Sequence, residues 1–142
     1  MHNGLIAQAS TTIKASSEVV WDALVNPDAI RQYMFGATVT TDWHEGNPIT
    51  WKGEWQGRRY EDKGIVLHVQ PTKELEYTHY SPLSGQPDDP ANYHTVRIEL
   101  DEEKDRTLVV LTQDNNPSEE ARQHSQKNWE QMLRGLKTYV EQ

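Results

Sequence analysis

The chain has 142 residues, a net charge of −8 and no cysteine, a length that reads as one domain over 1–142. The acidity argues against a nucleic-acid backbone or an anionic membrane surface as partner, and zero Cys excludes disulfides, thiolate chemistry and Cys-bound zinc. Only 35% of the residues are hydrophobic, but five Trp and six Tyr supply the large buried areas a disordered chain lacks, and with no bilayer-length apolar stretch and no signal-peptide core a cytoplasmic location is expected.

Leu5, Ala7, Ala9 and Ile13 alternate with polar residues, which predicts a half-buried strand over 5–15. Ser16, Ser17 and Glu18 then open a helix, since a hydroxyl caps free amides and an acid suits the first turn. Val20, Ala23 and Leu24 share its inner face, with Trp21 beside them, until Asn26-Pro27-Asp28 breaks it. A second short helix over 28–33 stops near Gly36. Residues 37–43 alternate as a strand, 44–47 form a turn, and Ile49, Trp51, Gly53 and Trp55 lie on one face of the next strand. Gln56-Gly57-Arg58 makes a tight hairpin into a long strand over 59–70, with Gly64 at a bulge and Pro71 at its end. Strands over 75–81, 92–100 and 106–114 complete the sheet. Three prolines in 82–90 preclude regular pairing there, and 101–105 is a solvated turn.

Asn116 as cap, Pro117 at the first helical position and Glu119 three residues after the cap start the last element. Only the mildly unfavourable Gly135 interrupts it before Glu141, so it runs about 25 residues, or ~37 Å. One strand, two helices, six strands and a long helix make an α+β fold with an antiparallel sheet. The C-terminal half of the long helix carries an ordinary core stripe of Met132, Leu133, Leu136, Tyr139 and Val140. Its N-terminal half puts Ala121, Ser125 and Asn128 on roughly the same face, with Trp129 at the join. Small and polar residues do not fill the concavity of a curved sheet, so that end is either hollow, as ligand sites are, or rotated toward solvent.

Particular residues carry a family resemblance. The segment 17–27, with Val20-Trp21-Asp22-Ala23-Leu24 and Pro27, resembles the opening of SRPBCC (START-like) proteins. Within them it is similar to the branch of the C-terminal domain of the activator of the heat-shock-protein ATPase. Thr41-Asp42-Trp43 with Glu45-Gly46, Ile49-x-Trp51-x-Gly53-Glu54, and Tyr60-x-Asp62-x-Gly64-x-Val66 continue the match. So do Leu75-Glu76-Tyr77-Thr78 and the terminal Asn128-Trp129-x-x-Met132-Leu133-x-x-Leu136-x-x-Tyr139. The resemblance implies the helix-grip fold: a curved antiparallel sheet of six or seven strands around a long C-terminal helix, with a cavity between them. It implies no single activity, for its members include lipid carriers, plant hormone and allergen proteins, and aromatase/cyclases. In the chaperone activator the function depends on an additional N-terminal domain, for which this chain has no room.

Polar candidates come from strand parity. Aligning the apolar faces of 75–81 and 92–100 pairs Leu75 with Ile98 and Tyr77 with Val96, and the same register sets His79 opposite His94. Both then point into the concavity, either as hydrogen-bonded wall residues or as imidazoles for a ligand carbonyl or carboxylate. His68 has the opposite parity to Ile65, Leu67 and Val69 and faces away; His44 lies in a turn and His2 at the terminus. No HxH or HExxH spacing supplies a third metal ligand, so no metal is expected. Trp43, Trp51, Tyr60 and Tyr77 occupy strand positions facing the concavity, with Tyr33 and Met34 near its mouth; plain core packing competes with the ligand wall for each.

There is no nucleophile elbow, phosphate-cradling glycine loop or dinucleotide fingerprint, and no cofactor is expected. Glu54 and Asp62 border the concavity but are expected to face solvent, because an unpaired buried acid is costly. The expected function is therefore a carrier or sensor binding a small hydrophobic or aromatic molecule. Its walls are Tyr33, Met34, Trp43, Trp51, Tyr60, Tyr77, His79, His94, Ser125, Asn128 and Trp129. A polyketide-cyclase-like or hydrolytic enzyme is the alternative, with His79 or His94 as base and Tyr77 polarising a ketone. A chaperone-associated interaction domain comes third. The edges of an open sheet also offer a place for a homodimer.

Overall fold

The computed structural model describes residues 5–142, Trp55 by its backbone alone, so His2 lies outside the described residues. The chain runs β1 (Leu5–Ile13), α1 (Ser17–Val25), α2 (Pro27–Tyr33), β2 (Thr38–Thr40), β3 (Pro48–Trp55), β4 (Arg58–Gln70), β5 (Glu74–His79), β6 (His94–Glu103), β7 (Arg106–Asn116) and α3 (Glu119–Val140). The seven strands form one sheet in the order β1-β7-β6-β5-β4-β3-β2, every neighbour antiparallel. The sheet curls around α3, and α1 and α2 close one end. This is the helix-grip architecture.

The two-residue period of the strands decides what faces the helix. Ala9 and Ile13 of β1, Val96 and Ile98 of β6, and Val109 and Leu111 of β7 are buried, and they pack with Met132, Leu133 and Leu136 of α3. Each buried aliphatic side chain contributes about 1.5–3 kcal/mol against the unfolded chain. Among the described residues, no helix is long and apolar enough to cross a membrane.

Three departures from the expected elements have local causes. The strand expected over 37–43 is only Thr38–Thr40. Beyond it the Thr41 hydroxyl accepts from the Trp43 amide at 3.1 Å and the Asp42 carboxylate from the His44 amide at 2.9 Å. Side chains that capture the backbone in this way replace a strand ladder with a turn, and Trp43 sits in the left-handed region at φ 60°.

The second departure is the start of α3. Its N-cap is Ser118, whose hydroxyl accepts from Ala121, whereas Asn116 ends β7 with its amide donating to the carbonyls of Leu5 and Gln113. The helix therefore has 22 residues, about 33 Å. The third is a bulge in β4 between Val66 and His68, which changes parity mid-strand. Val66 and Val69 pack inward, while Ile65 and Leu67 are exposed and do not share the inner face with Val69. His68 lies on the outer face as expected and meets Glu45 at 3.1 Å.

Candidate ligand site at the open end of the grip

The register predicted for the β5–β6 hairpin is present: Leu75 pairs with Ile98, Tyr77 with Val96 and His79 with His94. The end of β5, the starts of β4 and β6 and the end of β7 thus meet at one end of the sheet, where the N-terminal half of α3 also begins. Here the concave face changes character. Where β5, β6 and β7 carry Leu75, Ile98 and Leu111 deeper in, they carry His79, His94 and Gln113 at this end.

His79 is the centre of the cluster. Its ring lies edge-on to Trp51, with centroids 5.1 Å apart, and stacks on His94 at 6.5 Å and 26°. Trp51 in turn packs against Tyr77 at 5.2 Å. His94 is oriented by its Nδ1–H, which donates to the Asp114 carbonyl at 2.9 Å. The Nε2–H of His79 donates to Asp62 Oδ2 at 2.8 Å.

Asp62 is the residue that sequence reasoning placed in solvent. Its side chain is only 14% exposed and lies on the concave face with Tyr60, Gly64 and Val66. The cost of burying it is offset by the imidazole across the strand. Its second oxygen, Oδ1, is buried with no hydrogen-bond partner among the described residues, a state that costs about 1–3 kcal/mol for a polar atom. The signal was available in the parity of Tyr60-x-Asp62-x-Gly64-x-Val66, but the offsetting partner was not. Glu54 is exposed, as expected.

The other expected wall residues divide into three groups. Tyr33, Met34, Trp43, Trp51 and Tyr77 line the space enclosed between sheet and helices, together with Met132. That space measures about 20 Å³, room for one water molecule. It lies over the C-terminal half of α3, not over the N-terminal half, where the sequence left a hollow or a rotation toward solvent open. Trp43 reaches it from a loop instead of a strand, anchored by its indole N–H on the Val25 carbonyl at 2.9 Å. Tyr33 is similarly fixed, its hydroxyl donating to Ala23 at 2.9 Å. Burial, and then the neighbouring Tyr77 and Tyr139, push the Tyr33 phenol far above the ordinary tyrosine range; burial does the same to Tyr77.

Tyr60 lies over Gly53, where a Cβ would come within 2.6 Å of its hydroxyl. Partial burial, then the Asp62 carboxylate, raise the Tyr60 phenol. The third group belongs to α3. Ser125 donates to Asn116 Oδ1 at 2.9 Å, and the indole N–H of Trp129 donates to Gln113 Oε1. Asn128 is exposed: the inward line of the helix runs through 125, 129, 132 and 136, and position 128 falls outside it. Every buried residue of α3 lies in its C-terminal half, and in the N-terminal half two polar ties to β7 accompany the partly buried Trp129 ring, which packs against the core. Among the described residues no group of three or more His, Cys, Asp or Glu is placed to hold a metal ion.

This end of the grip thus combines an aromatic wall, a carboxylate–imidazole pair with an oxygen unpartnered among the described residues, and a helix segment whose apolar contact with the core is the partly buried Trp129. Several solved structures share the fold. ChR145 from Cytophaga hutchinsonii is 53% identical, with 99% of this chain and 97% of that one covered and a TM-score of 0.85. The Aha1 dimer from Colwellia psychrerythraea is 20% identical over 96% of each chain, with a TM-score of 0.73. CalU16 from Micromonospora echinospora is 20% identical over 99% of this chain and 86% of that one, with a TM-score of 0.72. The last two are likenesses of fold. None of the curated proteins matches the chain. The model of the family described as Activator of Hsp90 ATPase homolog 1-like protein matches residues 14–141, nearly the whole length, and the chain belongs to that family.

Proposed function

We propose that the protein binds a small, flat, largely apolar molecule at the open end of the grip, between Trp51 and the Asp62–His79 pair on the sheet and the N-terminal half of α3. The observation that carries this reading is the buried, unpartnered Oδ1 of Asp62 beside an aromatic wall. Ligand sites have this make-up: concave, mostly apolar, with a few placed polar groups. The closed space of about 20 Å³ is far below the ~300 Å³ and more of such sites, so binding involves the helix segment moving outward. The attachment of that segment supports such a motion, because the fully buried residues of α3 all lie in its other half and the partly buried Trp129 ring is what has to leave the core.

A second reading is favoured by the Asp62–His79 hydrogen bond itself. A carboxylate that orients an imidazole is the arrangement of a general base, and it would serve proton abstraction from an activated ligand. Binding precedes either outcome, so binding is tested first. Native mass spectrometry of protein purified from its own host, followed by a thermal-shift screen of flavonoids, indoles and polyketide-like aromatics, is the experiment. A retained mass, or a saturable rise in melting temperature that His79→Ala abolishes, is expected. No retained mass and no shift across those classes would overturn the reading. Turnover of whichever compound binds then separates a carrier from an enzyme.

A further inference from the structure

From the buried carboxylate oxygen left unpartnered at the site we infer that its preferred ligand carries a protonated amine on its flat body, and that anionic ligands of the same shape are rejected. This rests on the binding reading above and adds the charge of the ligand. A carboxylate oxygen only accepts, so the hydrogen between His79 and Asp62 belongs to His79 Nε2.

Asp62 Oδ1 is then the acceptor still open, buried and unmatched among the described residues. The pair borders solvent, with 25% of the His79 side chain and 14% of the Asp62 side chain exposed, and Oδ1 itself is buried, so a ligand meets it through the same outward motion of the helix segment. An ammonium group meets these requirements best: it donates in three directions and neutralises the carboxylate in a charge-assisted bond. A net charge of −8 draws cations toward the whole molecule and disfavours anions. The carboxylate already standing beside His79 disfavours a second carboxylate on the ligand there.

The test uses three probes of one shape: tryptamine, 3-ethylindole and indole-3-propionate, titrated by calorimetry against the intact protein. Tryptamine is expected to bind at least about tenfold more tightly than 3-ethylindole, a difference worth about 1.4 kcal/mol, and indole-3-propionate more weakly than either. Asp62→Asn, nearly identical in shape, is expected to bring the ratio of the first two to about one. The wild-type comparison stands even if that variant folds poorly. Equal binding of tryptamine and 3-ethylindole overturns the amine inference and leaves the binding reading intact, as does tight binding of indole-3-propionate. Binding of none of the three overturns the amine inference, and the binding reading falls with it when the flavonoid and polyketide-like classes also give no shift.

Discussion

Gly64 faces the Thr78 carbonyl so closely that a Cβ at position 64 would come within 1.7 Å of that oxygen. The contact lies just before the β4 bulge, with Thr78 Oγ1 accepting from the Ile65 amide at 2.9 Å. A side chain there meets backbone, which cannot rotate away. Gly64→Ala is expected to cost at least about 3 kcal/mol, read as a fall in the urea midpoint. Gly46→Ala is the contrast. Gly46 has φ +90° with open space around it, so only backbone strain of about 1–2 kcal/mol is at stake. Equal losses at the two sites would show that close approach is not what position 64 requires.

The buried phenols predict how the fold responds to alkali. Tyr33 and Tyr77 both have their phenols raised by burial, so the folded protein holds them neutral. A raised value means that their contribution is complete below the ordinary tyrosine value of about 10 and is lost as pH rises beyond it. Above that point stability is expected to fall by about 1.4 kcal/mol per pH unit for each of the two. Ultraviolet absorbance should show tyrosinate forming at these two positions only as the chain unfolds. Tyr33→Phe is expected to flatten the alkaline slope while losing the bond to Ala23. A slope unchanged in that variant would mean that Tyr33 ionises while folded.

The start of α3 separates two assignments of its cap. If Asn116 were the cap, its replacement would cost about 1 kcal/mol and that of Ser118 almost nothing. Instead Ser118 caps Ala121, and Asn116 is 3% exposed with its amide on two carbonyls and its oxygen on Ser125. Ser118→Ala is therefore expected to cost about 1 kcal/mol and Asn116→Ala about 2–3, from the buried groups it strands. Chemical denaturation of both variants decides the order. In the same first turn, Arg122 and then Gln123 hold the Glu119 carboxyl down to about 2. A depressed value gives a contribution present above pH ~4.3 and lost as pH falls toward about 2, so Glu119→Gln should blunt acid sensitivity in that window.

What was legible in the sequence follows from which forces are local. Alternation and turn residues are properties of short segments, so the element order could be read, and the shared parity of β5 and β6 led directly to His79 facing His94. Asp62 could not be placed because its burial depends on His79, seventeen residues away on another strand. Trp43 and Asn116 failed for a related reason: each has a side chain or neighbour that bonds backbone in preference to the expected partner. Small and polar residues on α3 leave a hollow or a rotation toward solvent open, but Ser125 and Trp129 are matched by Asn116 and Gln113 of β7. Polarity on that face reflects a different mode of attachment, not empty space.

That attachment yields the last prediction. The N-terminal half of α3 is held to β7 through Trp129–Gln113 and Ser125–Asn116, while Met132, Leu133 and Leu136 anchor the other half in the core. Removing Gln113 takes away one tie without touching the apolar stripe. Gln113→Ala should leave overall stability lower by about 1 kcal/mol, the net worth of a hydrogen bond. Its effect on local opening should be larger in kind, because few contacts resist fraying of that segment. Amide exchange is expected to accelerate across 119–129 and to stay slow across 132–140. If 119–129 exchanges no faster in the variant, the two polar ties do not hold the segment. The outward motion that ligand entry requires would then have to come from α1 and α2 at the other end.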